Sequence, residues 1–123
     1  LQTQFLKDFA VKEYEKGNFV IVGGDWNQSP PGLNKNNIYK NGIAGKDQFE
    51  ISTNFMPQGW NFAFDDQETT ARRVNRPYKK GMNTENLIDY FLCSPNIQIL
   101  EVKTMKQNFR NSDHEPIKLV VSL

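Results

Sequence analysis

The chain has 123 residues and a formal net charge of +1, a length that suits one domain and a balance that creates no global field to gather nucleic acid or anionic lipid. Its 37% hydrophobic and 24% charged residues, with nine Phe, four Tyr and two Trp, exclude a disordered segment and supply one core. No apolar run approaches the roughly 20 residues that span a bilayer, Leu1 opens no signal peptide, and the lone Cys93 excludes an internal disulfide while leaving the compartment unread.

Leu1, Phe5, Leu6 and Phe9 recur at helical spacing, and Gly17-Asn18 supplies a stop, which predicts a surface helix. No Ser, Thr, Asp or Asn precedes Leu1 as a cap, so more chain is expected upstream. Phe19-Val20-Ile21-Val22 is a continuous apolar run between Gly17-Asn18 and Gly23-Gly24, the pattern of a strand covered on both faces that ends at Asp25. Pro, Gly and Asn density predicts a loop over 28–41, followed by a short helix between about Lys46 and Asn54.

Trp60, Phe62 and Phe64 alternate with Asn61, Ala63 and Asp65, and Asp65-Asp66-Gln67 then turns the chain into a second strand near Thr69–Arg73, so a hairpin is expected. After a basic loop over 75–86, three more strands are expected: Leu87–Cys93, Ile97–Thr104 and Ile117–Leu123. The predicted class is α/β (α+β), with one mixed, mostly antiparallel sheet of about six strands and one or two helices on one face. The other face of such a sheet exposes more than the few hundred Å² of apolar surface a soluble monomer usually tolerates. A partner is therefore expected: a missing half, a second copy, or another domain.

Asp25 and Asn27 flank Trp26 in a turn just after a strand, where Gly23 and Gly24 allow the backbone to approach a ligand. A carboxylate there can orient or deprotonate water, and a neutral amide can donate to a phosphate oxygen. A plain Asx turn explains the same residues. Asp89 shares a strand face with Leu87 and Phe91, so an inward face obliges the carboxylate to find a partner. His114, the only histidine, can be that partner, and a carboxylate on one ring nitrogen raises the basicity of the other. Loop capping, or pairing with Arg72 or Arg73, is the alternative for Asp89.

Asp113 and His114 are adjacent in a loop, so their side chains diverge; one can ligate a hard cation while the other meets a phosphate. Arg72, Arg73, Arg76, Lys79 and Lys80 put five cations within nine residues. An Arg fork recognises phosphate bidentately, and Tyr78 can stack on a base or pack on a sugar; a solvated basic loop is the other reading. Ser112 lacks a nucleophile-elbow setting, one Cys and one distant His give no zinc spacing, and no glycine-rich phosphate loop occurs.

In chain order, Gly-Gly-Asp-Trp-Asn over 23–27, Ile-Asp-Tyr-Phe over 88–91 and Ser-Asp-His-Glu-Pro over 112–116 resemble the three C-terminal motifs of the endonuclease/exonuclease/phosphatase superfamily. That group of metal-dependent phosphoesterases includes AP endonucleases, pancreatic deoxyribonuclease, sphingomyelinases and inositol-phosphate phosphatases. The resemblance covers residues 1–123 but only the second half of the family's domain. The upstream Asn, the metal-binding Glu and the central loop have no counterpart here. It implies half of a four-layer α/β/β/α sandwich and a Mg²⁺ or Mn²⁺ cofactor.

It further implies catalytic roles for Asp25, Asn27, Asp89 and His114, metal ligation by Asp113, and substrate contacts from Asn27, Arg72, Arg73, Arg76 and Tyr78. Trp60 and Phe62 are expected in the core. The implied substrate is a phosphate ester of a nucleic acid, phospholipid head group or sugar, with little turnover by this chain alone. The competing reading is a noncatalytic binding or assembly module that keeps the same sheet.

Overall fold

Helix α1 (Gln2–Glu15) forms where the sequence predicts it and stops where it should. Gly17 takes a positive φ of 90°, its N–H donates to the Tyr14 carbonyl (2.8 Å), and the Asn18 N–H donates to Glu13 O (3.2 Å). These bonds satisfy carbonyls that the last turn would otherwise leave open. Much of the apolar stripe, however, stays open: Phe5 is 75% and Phe9 55% exposed, Leu6 is half-buried, and only Ala10 of the helix is buried. The helix instead leans on the sheet through Tyr14, whose ring meets Trp60 edge-on at 5.6 Å.

The computed structural model describes residues 2–38, 43–44 and 49–123 as a mixed α+β fold. After α1 come β1 (Ile21–Asp25), α2 (Lys35–Ile38), β2 (Ile43–Ala44), β3 (Asn61–Ala63) and β4 (Ala71–Arg72). They are followed by β5 (Thr84–Asn86), β6 (Asp89–Cys93), β7 (Gln98–Thr104) and β8 (Ile117–Ser122). Among the described residues the strands pair as β1-β6-β3, β2-β5-β4 and β7-β8, three small sheets where one sheet of about six strands was expected. All pairs are antiparallel except β2 with β5.

The expected hairpin over 60–73 does not form. β3 and β4 both run along the 84–93 segment, Ala63 opposite Phe91 and Ala71 opposite Asn86, so the Asp65–Glu68 turn bulges outward and the chain continues in the same direction. The reason is a tertiary bond: Asp65 Oδ1 accepts from Gln67 N (3.0 Å) while Oδ2 accepts from Thr104 N (3.0 Å), which ties the turn to β7. The strand after Gly17-Asn18 starts two residues later than its apolar run and takes in both glycines. It is not covered on both faces: β1 is an edge strand, with Phe19 51% and Ile21 45% exposed.

The loop over 28–41 contains the single turn of α2. Residues 46–48 of the helix expected over 46–54 lie outside the described residues, and 49–54 carry a bridge from Glu50 to Ser29 and a turn instead of helix. No helix among the described residues is long and apolar enough to cross a membrane.

The core gathers Leu33, Ile38, Ile51, Leu87 and Tyr90, with Trp26, Phe55, Phe62 and Phe64 packed on it. Leu87 is fully enclosed, which stabilises the fold by about 1.5–3 kcal/mol relative to exposure. Trp26 stacks on Tyr90 at 5.4 Å with planes 5° apart and donates its indole N–H to Tyr90 O at 3.0 Å. Phe62 meets both rings edge-on, at 5.7 and 5.9 Å, so it is a core residue. The Tyr90 hydroxyl donates to Gln28 O (2.9 Å), and burial pushes its phenol far above the ordinary range, keeping it a neutral donor. These aromatic contacts anchor the turn that carries Asp25 and Asn27.

Candidate active site

Strand pairing does most of the assembly. Asp25 ends β1 directly opposite Asp89, which opens β6, so two carboxylates sit side by side on neighbouring strands. The third loop arrives by a bridge from His114 to Ala71, reinforced by Arg72 N donating to Asp113 O (2.9 Å) and Glu115 N donating to Thr70 O (2.7 Å). Side chains from three separate sequence motifs thereby converge.

His114 Nδ1 lies 2.8 Å from Asp89 Oδ2, and Nε2 lies 3.9 Å from Asp25 Oδ2. An ionised carboxylate only accepts, so Nδ1 carries the proton of this bond and Nε2 faces Asp25. Burial opposes charge on the ring, but the Asp89 bond and the charges of Asp89, Asp25 and Asp113 outweigh it, and the imidazole pKa rises above its usual value. Burial also raises Asp89, against the lowering effect of its bonds from His114 and Thr70. Asp89 is the most enclosed of the three; the side chains of His114 and Asp25 remain about one-third exposed, 35% and 37%, leaving the Nε2 side accessible.

Asn27 sits beside Asp25 with a left-handed φ of 54°, and its N–H donates to Asp25 Oδ1 at 2.8 Å. This is an Asx turn, and it also fixes the Asp25 carboxylate with Oδ2 toward His114. Gly24 supplies φ 142°, but Gly23 serves packing: a Cβ there would lie 2.6 Å from the Phe91 ring. Gly23 thus makes room for Phe91, and with Gly24 it also lines a shallow groove beside Asp25 and Asn27.

Asp25, Asp89 and His114 each place a ligand atom within 4.8 Å of the others, the group among the described residues that could hold a metal ion. Asp113, expected as the metal ligand, lies outside that group; its carbonyl is taken by Arg72 N and its charge reaches His114. Carboxylate oxygens suit a hard divalent ion such as Mg²⁺ or Mn²⁺, so the donor types at this rim fit one. Asp89 Oδ2 already bonds His114 and Thr70, which leaves Asp25 Oδ2 as the carboxylate oxygen of the group that faces the Nε2 side of His114.

The basic loop divides in two. Tyr78 is half-buried, its ring in a T-shaped contact with Phe109 at 5.1 Å, and burial raises its phenol pKa. Arg72 is half-buried, with Nη1 donating to Arg73 O (3.3 Å) and a buried Nε that has no hydrogen-bond partner among the described residues. Arg73 and Arg76 are exposed. Among the described residues neither Arg72 nor Arg73 forms an ion pair with Asp89, whose partner is His114.

Two further residues support the site: Thr70, which belongs to none of the three motifs, and Glu115, which lies within Ser-Asp-His-Glu-Pro but for which the resemblance implies no role. Thr70 is 1% exposed; its hydroxyl donates to Asp89 Oδ2 (2.8 Å) and accepts from Ile88 N and Asp89 N (3.0 Å each), using its full capacity. Glu115, 4% exposed, accepts from Phe109 N (2.8 Å) and from Gln107 N, bracing a turn in which Asn108 and Phe109 both have positive φ. For Glu115 the adjacency to His114 was a signal, since a carboxylate entering a strand must find donors. No family model, curated protein or solved structure matches the chain.

Proposed function

We propose that the chain is the C-terminal half of a metal-dependent phosphoesterase domain that hydrolyses a phosphodiester or phosphomonoester by in-line attack of water. The observation that carries this reading is the convergence of Asp25, Asp89 and His114, with Nδ1 of His114 bound to Asp89 at 2.8 Å and Nε2 turned toward Asp25 at 3.9 Å. On this reading Asp89 fixes the tautomer and charge of His114, and the Nε2–H donates to a phosphoryl oxygen or the leaving oxygen. Asp25 orients the water and accepts its proton, while Asn27 holds a phosphate oxygen without adding charge. As the resemblance implies, Asp113, next to His114 in the chain, would hold Mg²⁺ or Mn²⁺, which when bound would supply Lewis-acid stabilisation of the phosphoryl charge.

The same reading makes the three small sheets part of one half of a four-layer α/β/β/α sandwich. Phe9, Phe19 and Ile21 line one shallow groove between α1 and β1, which suits a face covered by another segment of the domain. The noncatalytic alternative keeps this apolar face but has no use for the paired Asp89 and His114. Hydrolysis of bis(p-nitrophenyl) phosphate and p-nitrophenyl phosphate by the full-length protein tests the proposal. Turnover that requires Mg²⁺ or Mn²⁺ and ceases with EDTA is expected; no turnover of either ester with any divalent ion would refute it.

A further inference from the structure

The cations over 72–80 remain largely unused by the fold. Of the 15 Lys and Arg residues, five lie in this stretch, which holds no Asp or Glu; the other ten face all 14 acids, so the rest of the chain is net negative. The ion pairs among the described residues involve Lys16, Lys106, Lys118 and His114, and none involves Arg73, Arg76, Lys79 or Lys80. Those four side chains are exposed.

The loop is nevertheless built. Asn83, 1% exposed, accepts from Lys79 N (2.8 Å) and turns its amide toward the carbonyls of Arg76 and Pro77 (3.5 Å each). Tyr78 is pinned on Phe109, so the cations on either side of it project from a fixed base. The Arg72 N–H to Asp113 O bond (2.9 Å) fastens the start of the loop to the segment that carries His114.

Holding unneutralised like charges in one ordered loop costs electrostatic energy, which an anion brought to it would recover. We infer that this loop is a track for phosphates flanking the one that is cleaved, and that the substrate is therefore a polynucleotide. The inference rests on the phosphoesterase reading only for the cleavage step. A nucleic-acid strand fits better than a membrane because a narrow polyanion can follow the loop, whereas a flat anionic surface would also meet the negative remainder of the chain. Tyr78, the one aromatic of 72–80, is held against Phe109, so the loop binds chiefly through its cations, along the backbone and independent of sequence.

Fluorescence anisotropy with a labelled single-stranded oligonucleotide, in EDTA and over a range of salt, reads binding without turnover. Replacing Arg73, Arg76, Lys79 and Lys80 together by Gln in the full-length protein is expected to weaken binding at least tenfold at low salt. It should also flatten the salt dependence by about two to three, since each neutralised phosphate of a single strand contributes about 0.7 to the slope. Lys79→Gln/Lys80→Gln should weaken binding several-fold, whereas Lys12→Gln/Lys16→Gln, which removes equal charge from α1, should not. Equal losses in the two double variants, no binding by the wild type, or loop-dependent binding to phosphatidylserine vesicles in place of the oligonucleotide would each overturn the inference. Because no turnover enters the measurement, a failure of the phosphoesterase reading leaves its outcome legible.

Discussion

The rim around His114 and the face made by α1 and β1 are built from the same chain by opposite means. At the rim, Thr70, Asp89 and Glu115 are enclosed and bonded to backbone N–H groups or to one another. On the α1–β1 face, Phe5, Phe9, Phe19 and Ile21 keep much of their apolar surface exposed. Polar groups are thus held in place where chemistry is proposed, and apolar groups are left open where it is not. The difference teaches that loss of a rim side chain strands buried partners, whereas loss of a face side chain leaves little behind.

Function should separate the regions most strongly. His114→Ala is expected to lower turnover of the full-length protein by at least about a hundredfold, the scale of general acid–base catalysis. Phe9→Ser should leave kcat within about twofold, in keeping with a surface change remote from the reacting groups. Stability comes next. Glu115→Ala orphans the N–H groups of Gln107 and Phe109 and should cost about 2–4 kcal/mol in urea unfolding, given about 1.5–3 for each bond to a charged group and incomplete additivity.

Thr70→Val removes a hydroxyl that serves three bonds and should cost about 1–3 kcal/mol, with a fall in kcat as Asp89 loses its support. Phe5→Ser, by contrast, should shift stability by less than about 0.5 kcal/mol in the isolated chain. A Phe5 change as costly as that of Glu115 would erase the contrast.

The smallest expected effect is on pH dependence. The His114 pKa is raised in the folded state, so its stabilising contribution is complete below the ordinary value of 6.5 and is lost as pH rises through the folded value. Asp89, also raised, has the same sign in the acid range: stability present below 3.8 declines as its carboxyl ionises through the higher folded value. The urea midpoint of metal-free protein should therefore fall modestly on going from slightly acid to slightly alkaline pH. That step should shrink in His114→Gln.

Much of this arrangement was legible before any coordinates. The stop at Gly17-Asn18, the strands over 87–93, 97–104 and 117–123, and the pairing of Asp89 with His114 all follow from short-range pattern or from the need of a buried carboxylate for a partner. What was not legible depends on tertiary contacts. Alternation at Trp60–Phe64 gives a strand but not its neighbour, and the Asp65 bond to Thr104 N that prevents the hairpin spans 39 residues. The apolar run at Phe19–Val22 likewise indicates what a strand buries without saying that a chain element is at hand to cover it. Thr70 carries no local sign of its role because its partners lie 18 and 19 residues away. The packing of Tyr78 on Phe109 likewise links two loops far apart in sequence and has no local sign.

The imidazole ¹⁵N NMR spectrum of His114, the chain's only histidine, tests the central geometry most directly. The account predicts that the ring in its neutral form carries its proton at Nδ1 and gains the Nε2 proton with a pKa above 6.5 that drops in Asp89→Asn. A neutral form protonated at Nε2, with a titration indifferent to Asp89→Asn, would contradict it.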